Sequence, residues 1–352
     1  MRIPRTPWLV LSASVLALFA CKEPAAVSIP PTSSEAVTSR LGDSHVPVAL
    51  GTLGGWSSEA HAISPSGTVV GLGTVATGDL HPFLWRDGVM TDLGTLGGLR
   101  GAAWAINSEG VVVGASTRVG VTNERAFVWK DGIMTDLGTL GGLTSVAFAI
   151  NPAGTIAGSS TTATSEQPHA VLWHGRIIRD LGTLGGSSSV AYGINERGDV
   201  VGMSMTSDGA EHAFRWSGGT MVDLGGLGGA RSHAYGISAR GDVVGFSTTA
   251  GGAEHAVLWP ARGSVIDLGT LGGSRSVATY ITSDGRIVGF SATMSGQQHA
   301  VVWERGAIND LGGGTEPDAI SAALAATASG SIAGLSFSGT YPHPHAVLWR
   351  RK

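Results

Sequence analysis

The sequence predicts an all-β protein: a seven-bladed β-propeller of four-stranded blades, closed by its own N-terminal strand. Three observations predict it. The first is a Gly-rich signature, Asp136-Leu137-Gly138-Thr139-Leu140-Gly141-Gly142 in one copy. It recurs seven times, from Ala49, Asp92, Asp136, Asp180, Asp223, Asp267 and Asp310, in steps of 43 or 44 residues. A period of about 20–50 residues marks a solenoid, a propeller or an array. The second is that each copy holds four short apolar segments divided by turn residues, the makeup of one propeller blade. The third lies at the chain ends. The last copy stops after its third segment, His345–Trp349, while Val46-Pro47-Val48-Ala49-Leu50 is a fourth segment with no blade before it. Pairing the two closes a ring and covers a bare strand edge.

The chain opens with a targeting segment, residues 1–20. Arg2 and Arg5 give a positive start, and Trp8 to Ala20 is an apolar core too short to span a bilayer. It runs into Leu18-Phe19-Ala20-Cys21, which resembles the lipobox of bacterial lipoproteins. That resemblance implies cleavage before Cys21, acylation of its thiol, and anchoring to the outer membrane or cell surface. Cys21 is the single cysteine of the chain, so no disulfide forms within the repeats. Residues 21–44 are rich in Pro, Ser and Thr without apolar periodicity, and read as a flexible tether. The repeat domain is 45–352.

In the copy at 56–98 the first segment is Ala60-His61-Ala62-Ile63, followed by the turn Ser64-Pro65-Ser66-Gly67. The small polar start and the Gly suit a type I turn ending at positive φ. The second segment is Thr68-Val69-Val70-Gly71 and the third His81-Pro82-Phe83-Leu84-Trp85. Asp87-Gly88 then marks a two-residue hairpin. The fourth segment, Val89 to Leu93, runs into the Gly-rich signature. The runs are nearly continuous in apolar residues, as expected of sheets covered on both faces. A Trp column (85, 129, 173, 216, 259, 303, 349) supplies the main packing between blades. Each buried Trp hides roughly 150–250 Å².

The recurring His-Ala-Phe/Val-Leu-Trp motif (His212-Ala213-Phe214, His255-Ala256-Val257-Leu258-Trp259), in register with Asp-Leu-Gly-Thr-Leu-Gly-Gly, resembles the HAF family of extracellular repeat proteins. The likeness covers about residues 46–349. Arg125 departs from it in the His column and Ala49 in the Asp column. It implies a bacterial, exported, repeat-built protein and carries no activity with it.

Charged residues are 14% and net charge is −4, so no basic footprint for nucleic acid exists. Six His (81, 169, 212, 255, 299, 345) and six Asp (92, 136, 180, 223, 267, 310) occupy two columns. Copies on different blades do not converge on one ion, so the columns read as structural and no metal or cofactor is expected. In a two-residue hairpin Asp92 lies opposite Phe83, with His81 on the diagonal of the same face, within reach of a hydrogen bond. A three-residue bulge loop would set the two on opposite faces. The Gly-rich signature lacks the Lys and the helix of a phosphate loop. His61 and His233 stand outside the columns and read as structural singles.

Variable loops on one face, with Arg100, Arg231 and Arg275 in the loops after Gly-Gly, form the candidate ligand surface. The Arg fork suits carboxylate, phosphate or sulfate groups. The expected role is a surface-tethered binding or scaffolding module, a monomer, whose partner is a glycan or a protein. The alternative is a propeller lyase or hydrolase with an axial site. Unique ionisable groups on the first strands of one or two copies would discriminate the two.

Overall fold

The computed structural model describes residues 45–313, 319–337 and 343–351. The targeting segment, Cys21 and the tether lie outside the described residues, as does most of the last variable loop. The described chain contains strands and turns and no helix. Its strands are numbered β1–β28 in chain order.

The strands fall into successive four-stranded units. Unit 1 contains β2 (Gly54–Ile63), β3 (Val69–Val75), β4 (Leu80–Arg86) and β5 (Val89–Asp92), paired antiparallel in that order. Units 2 to 6 repeat this layout over 97–136, 141–180, 185–223, 228–267 and 272–310. The last unit holds β26 (Ile320–Ala326), β27 (Ile332–Phe337) and β28 (His345–Arg351), and its fourth strand is β1 (His45–Ala49). Pro47 lies opposite Trp349, and Leu50 N–H donates to Ala346 O at 2.9 Å.

The core lies between units. Val70 of unit 1 packs with Ala103, Val112 and Phe127 of unit 2, and Val201 of unit 4 with Ala234, Val257 and Trp259 of unit 5. The last unit meets unit 1 in the same way, through Ala325, Ala333 and Leu348 against Ala60, Val69 and Trp85. Each sheet is therefore apolar on both faces, which accounts for the missing alternation in the sequence. Successive first strands lie side by side, from β2 and β6 (Gly97–Ile106) through to β22 (Gly272–Ile281) and β26, and β26 also lies beside β2.

At six of the seven junctions a Ser hydroxyl ties the third strand to the next unit. Ser189 Oγ accepts from Ala170 N–H at 2.8 Å and donates to Gly182 O at 2.6 Å. Ser58 makes the equivalent bond to Ala346 N–H at 3.0 Å, joining the last unit to the first.

The structure corrects one boundary. The first strands have ten residues in units 1 to 6 and begin at the Gly-Gly pair, which the sequence reading left in a loop. Gly98 is there because the strands approach closely: a Cβ would stand 2.3 Å from Thr117 Oγ1. In the second strands, a Cβ at Gly71 would come 1.8 Å from Glu59 O. Opposite that glycine every first strand bulges by one residue, at His61, Trp104, Phe148, Tyr192, Tyr235, Thr279 and Leu324. A bulge re-aims its side chain.

Candidate functional site

The His and Asp columns meet within units. His81 Nδ1 lies 2.7 Å from Asp92 Oδ2, His169 2.8 Å from Asp180, His212 2.6 Å from Asp223, His255 2.8 Å from Asp267 and His299 2.9 Å from Asp310. The Asp87-Gly88 turn has two residues, both at positive φ, and sets Asp92 opposite Phe83. Arg125 takes the His place and reaches Asp136 at 3.3 Å. The second carboxylate oxygen caps the Gly-rich turn: Asp92 Oδ1 accepts from Gly94 N–H at 2.8 Å. In the last unit β1 brings Ala49 where the others bring Asp. Burial there, followed by neighbouring His343, holds His345 below the ordinary histidine pKa. Among the described residues no three His, Cys, Asp or Glu gather as a metal-ligand set.

The three Arg residues lie on strands, not in loops, and the structure sets carboxylates beside them. Arg231, on β18 (Gly228–Ile237), reaches Glu211 at 3.1 Å and Glu254 at 3.5 Å. Arg275, on β22, reaches Glu254 at 2.8 Å. The Glu211–Arg231 and Glu254–Arg275 contacts form where the third strand of one unit touches the first strand of the next, while Arg231–Glu254 lies within unit 5. Arg100, on β6, acts electrostatically on Glu124, opposing the burial that raises this carboxyl to about 8. All three forks thus have a carboxylate for a neighbour, which the loop reading did not foresee.

The sequence reading took His233 as a structural single and did not join it to Glu211 or Tyr235. His233 Nε2 is 3.1 Å from Glu211 Oε2, and Tyr235 OH is 3.5 Å from His233 Nδ1. The His233 hydrogen bond pulls the Glu211 carboxyl down to about 2, against partial burial and with help from Arg231. An ionised carboxylate only accepts, so His233 Nε2 carries the proton of that bond. Burial raises the Tyr235 and Tyr192 hydroxyls well above the ordinary phenol pKa, so both stay protonated.

The bulge residues carry the cluster inward. Their rings touch in series: His61 stacks on Trp104 at 4.2 Å, Trp104 meets Phe148 at 6.0 Å, Phe148 meets Tyr192 at 5.5 Å, and Tyr192 meets Tyr235 at 5.3 Å. Ionisable groups on this inner wall include Glu59 and His61 of unit 1 and His233 of unit 5. Glu59 and His61 bond to each other at 3.3 Å.

No family model and no curated protein matches the sequence. Solved structures do align. A puromycin-hydrolyzing peptidase of Mycobacterium tuberculosis aligns with a TM-score of 0.57 and 12% identity, over 84% of this chain and 50% of that one. An acylaminoacyl peptidase of Pyrococcus horikoshii aligns with a TM-score of 0.50 and 10% identity, over 83% and 51%. The β-propeller domain of the Trilobed protease of Pyrococcus furiosus aligns with a TM-score of 0.41 and 12% identity, over 57% and 65%. The fold is an all-β propeller. The chain spans about half the length of the first two peptidases.

The expected binding or scaffolding role finds no counterpart among these neighbours: the first two are named as hydrolases, and at 10–12% identity their likeness to this chain shows the fold alone. The first strands of units 1 and 5 carry Glu59, His61 and His233, ionisable groups of the kind the sequence reading set as its discriminator.

Proposed function

We propose that this chain is a seven-bladed propeller hydrolase working at the loop-side mouth of its centre, with His233 as general base and Glu211 as its orienting carboxylate. The observation that carries the reading is the 3.1 Å bond from His233 Nε2 to an ionised Glu211, which turns the basic Nδ1 toward Tyr235. Ring closure is supported by the Ser58–Ala346 bond, which repeats the inter-unit tie at the chain ends, and by the β1–β28 pairing.

Water at Nδ1 gives its proton to His233 as its oxygen attacks a substrate carbonyl carbon. Glu211 stabilises the imidazolium that forms. When the bond to the leaving group breaks, His233 returns the proton to that group. Tyr235, a phenol throughout, donates a hydrogen bond to the oxygen on which negative charge develops. Arg231 serves this centre by holding Glu211 ionised. The repeat motifs support a place among HAF-type repeat proteins. Cys21 supports export with a lipid anchor at the outer membrane or cell surface.

The test is turnover of a panel of nitrophenyl esters, aminoacyl nitroanilides and lactones by the full chain and by His233→Ala. The reading expects at least one substrate to be hydrolysed, with a loss on the order of 100-fold or more in the variant. No turnover across the panel, or equal turnover by the variant, overturns it.

A further inference from the structure

A cavity opens at the end of the first strands that lies among the tight turns. It encloses about 310 Å³ and is lined by residues from every unit. Its floor is a ring of aliphatic side chains, one per first strand: Ile63, Ile106, Ile150, Ile194, Ile237 and Ile281, with Ala326 completing the set. It shares no residue with the Glu211–His233–Tyr235 cluster or with the chain of aromatic rings. Its size falls at the low end for small-molecule pockets, about 300–1,000 Å³, and its mixture of apolar floor and polar rim is typical of them.

The polar rim is largely occupied with holding units together. Asn107 Nδ2 donates to Asn151 O at 3.3 Å, Asn151 Nδ2 to Asn195 O at 3.2 Å, and Asn195 Nδ2 to Ser238 O at 3.2 Å. These amides make a rigid collar and have little left to offer a ligand. Tyr280 is different. It follows the bulge of its strand, in a column that holds Ala62, Ala105, Ala149, Gly193, Gly236 and Ala325 in the other units. The column is small because it packs against the neighbouring strand: a Cβ at Gly193 would come 2.8 Å from Tyr235 O. One copy breaks this rule and puts a phenol into the cavity wall, 39% exposed, with no hydrogen bond to its hydroxyl among the described residues. Seven-fold packing does not call for that residue. A ligand with one polar group does.

We propose that the Ile-ringed cavity is a second binding site, for a compact apolar molecule bearing one hydroxyl, with the Tyr280 hydroxyl as its hydrogen-bond partner. The aliphatic ring gives affinity without direction, and the phenol gives orientation. The site is independent of the hydrolytic centre and stands or falls separately from it.

The probes are 4-fluorophenol and fluorobenzene, titrated into the full chain and followed by fluorine NMR. The proposal expects saturable 4-fluorophenol binding, about tenfold tighter than fluorobenzene, the worth of roughly one hydrogen bond. Tyr280→Phe brings the two probes within about twofold of each other. Ile194→Trp fills the cavity and abolishes both. Circular dichroism establishes that each variant is folded, and Ile150→Phe replaces Ile194→Trp if the latter is not. Absence of saturable binding overturns the proposal. So does undiminished binding in a folded cavity-filling variant, or discrimination that survives Tyr280→Phe.

Discussion

Pro82 and Gly101 meet at the one junction where the inter-unit Ser tie is replaced. Six junctions pair an Ala N–H with a Ser hydroxyl, as Ala126 does with Ser145 at 3.0 Å and Ala213 with Ser232 at 3.0 Å. Between units 1 and 2 the donor position holds Pro82, which has no N–H, and the acceptor position holds Gly101, which has no hydroxyl. A Cβ at Gly101 would stand 3.0 Å from Pro82 Cδ. The two deviations compensate: no buried donor is stranded, and the proline ring gains its room.

Substitution there is expected to be strongly coupled. Pro82→Ala alone frees a buried N–H with no acceptor and costs about 1–3 kcal/mol. Gly101→Ser alone presses its Cβ against the proline ring and costs about 1 kcal/mol or more. The double variant rebuilds the tie, so the two losses sum to at least about 1 kcal/mol more than the double variant loses. Urea unfolding of the four proteins measures this. Simple additivity contradicts it.

The Asp column matters more than the His column. His169→Ala removes one partly exposed contact, whereas Asp180→Ala also removes the cap on Gly182 N–H, a bond of 2.8 Å. We expect a loss within about 1 kcal/mol for the His variant and about 1 kcal/mol more for the Asp variant. Equal melting temperatures for the two would refute the capping role.

Two acids give opposite dependences on pH. Glu124 is raised to about 8 by burial, so between about 4.5 and 8 the folded state holds a proton that the unfolded chain has released. Its contribution is unfavourable and grows as pH rises through that window. Glu211, lowered to about 2 chiefly by His233, contributes stability that is present above about 4.5 and lost as pH falls toward 2. Glu124→Gln is therefore expected to gain on the wild type from pH 5 to 8. Glu211→Gln is expected to lose at pH 7 and to match it near pH 2. Denaturation series across pH read both signs.

Much of the fold was legible because a repeat states its strands seven times over. The Asp87-Gly88 hairpin fixed which side of the sheet His81 and Asp92 share, so that diagonal was readable from spacing. The long first strands were not, because a Gly-Gly pair reads as a loop until Thr117 is seen to press on Gly98. The candidate centre was hidden for another reason. Glu211 and His233 belong to different units and are joined only by inter-unit packing. One signal was present: Glu124, Glu211 and Glu254 stand directly before Arg125, His212 and His255, in the copies flanking the three Arg residues. Tyr280 was equally visible as the large residue in a column of Ala and Gly.

Closure is testable at the N-terminal strand. Starting the chain at Leu53 removes β1, the five-residue register with β28, the Leu50–Ala346 bond and the Gly51 carbonyl that accepts from Ser58 Oγ at 2.6 Å. A fall in melting temperature of about 10 °C or more is expected relative to a chain starting at His45, given that several buried hydrogen bonds and a core edge go together. Matching melting curves would indicate an open array.

The central claim is that His233 acts as a base held by Glu211, and chemical rescue tests it most directly. On the best substrate of the panel, kcat/KM of His233→Ala is measured with and without added imidazole, beside Glu211→Gln. The account predicts a loss of about 100-fold or more in the Ala variant, a dose-dependent recovery with imidazole, and no recovery in Glu211→Gln, whose own base is present but misdirected. An Ala variant as active as the wild type, or one whose deficit imidazole leaves untouched, would contradict it.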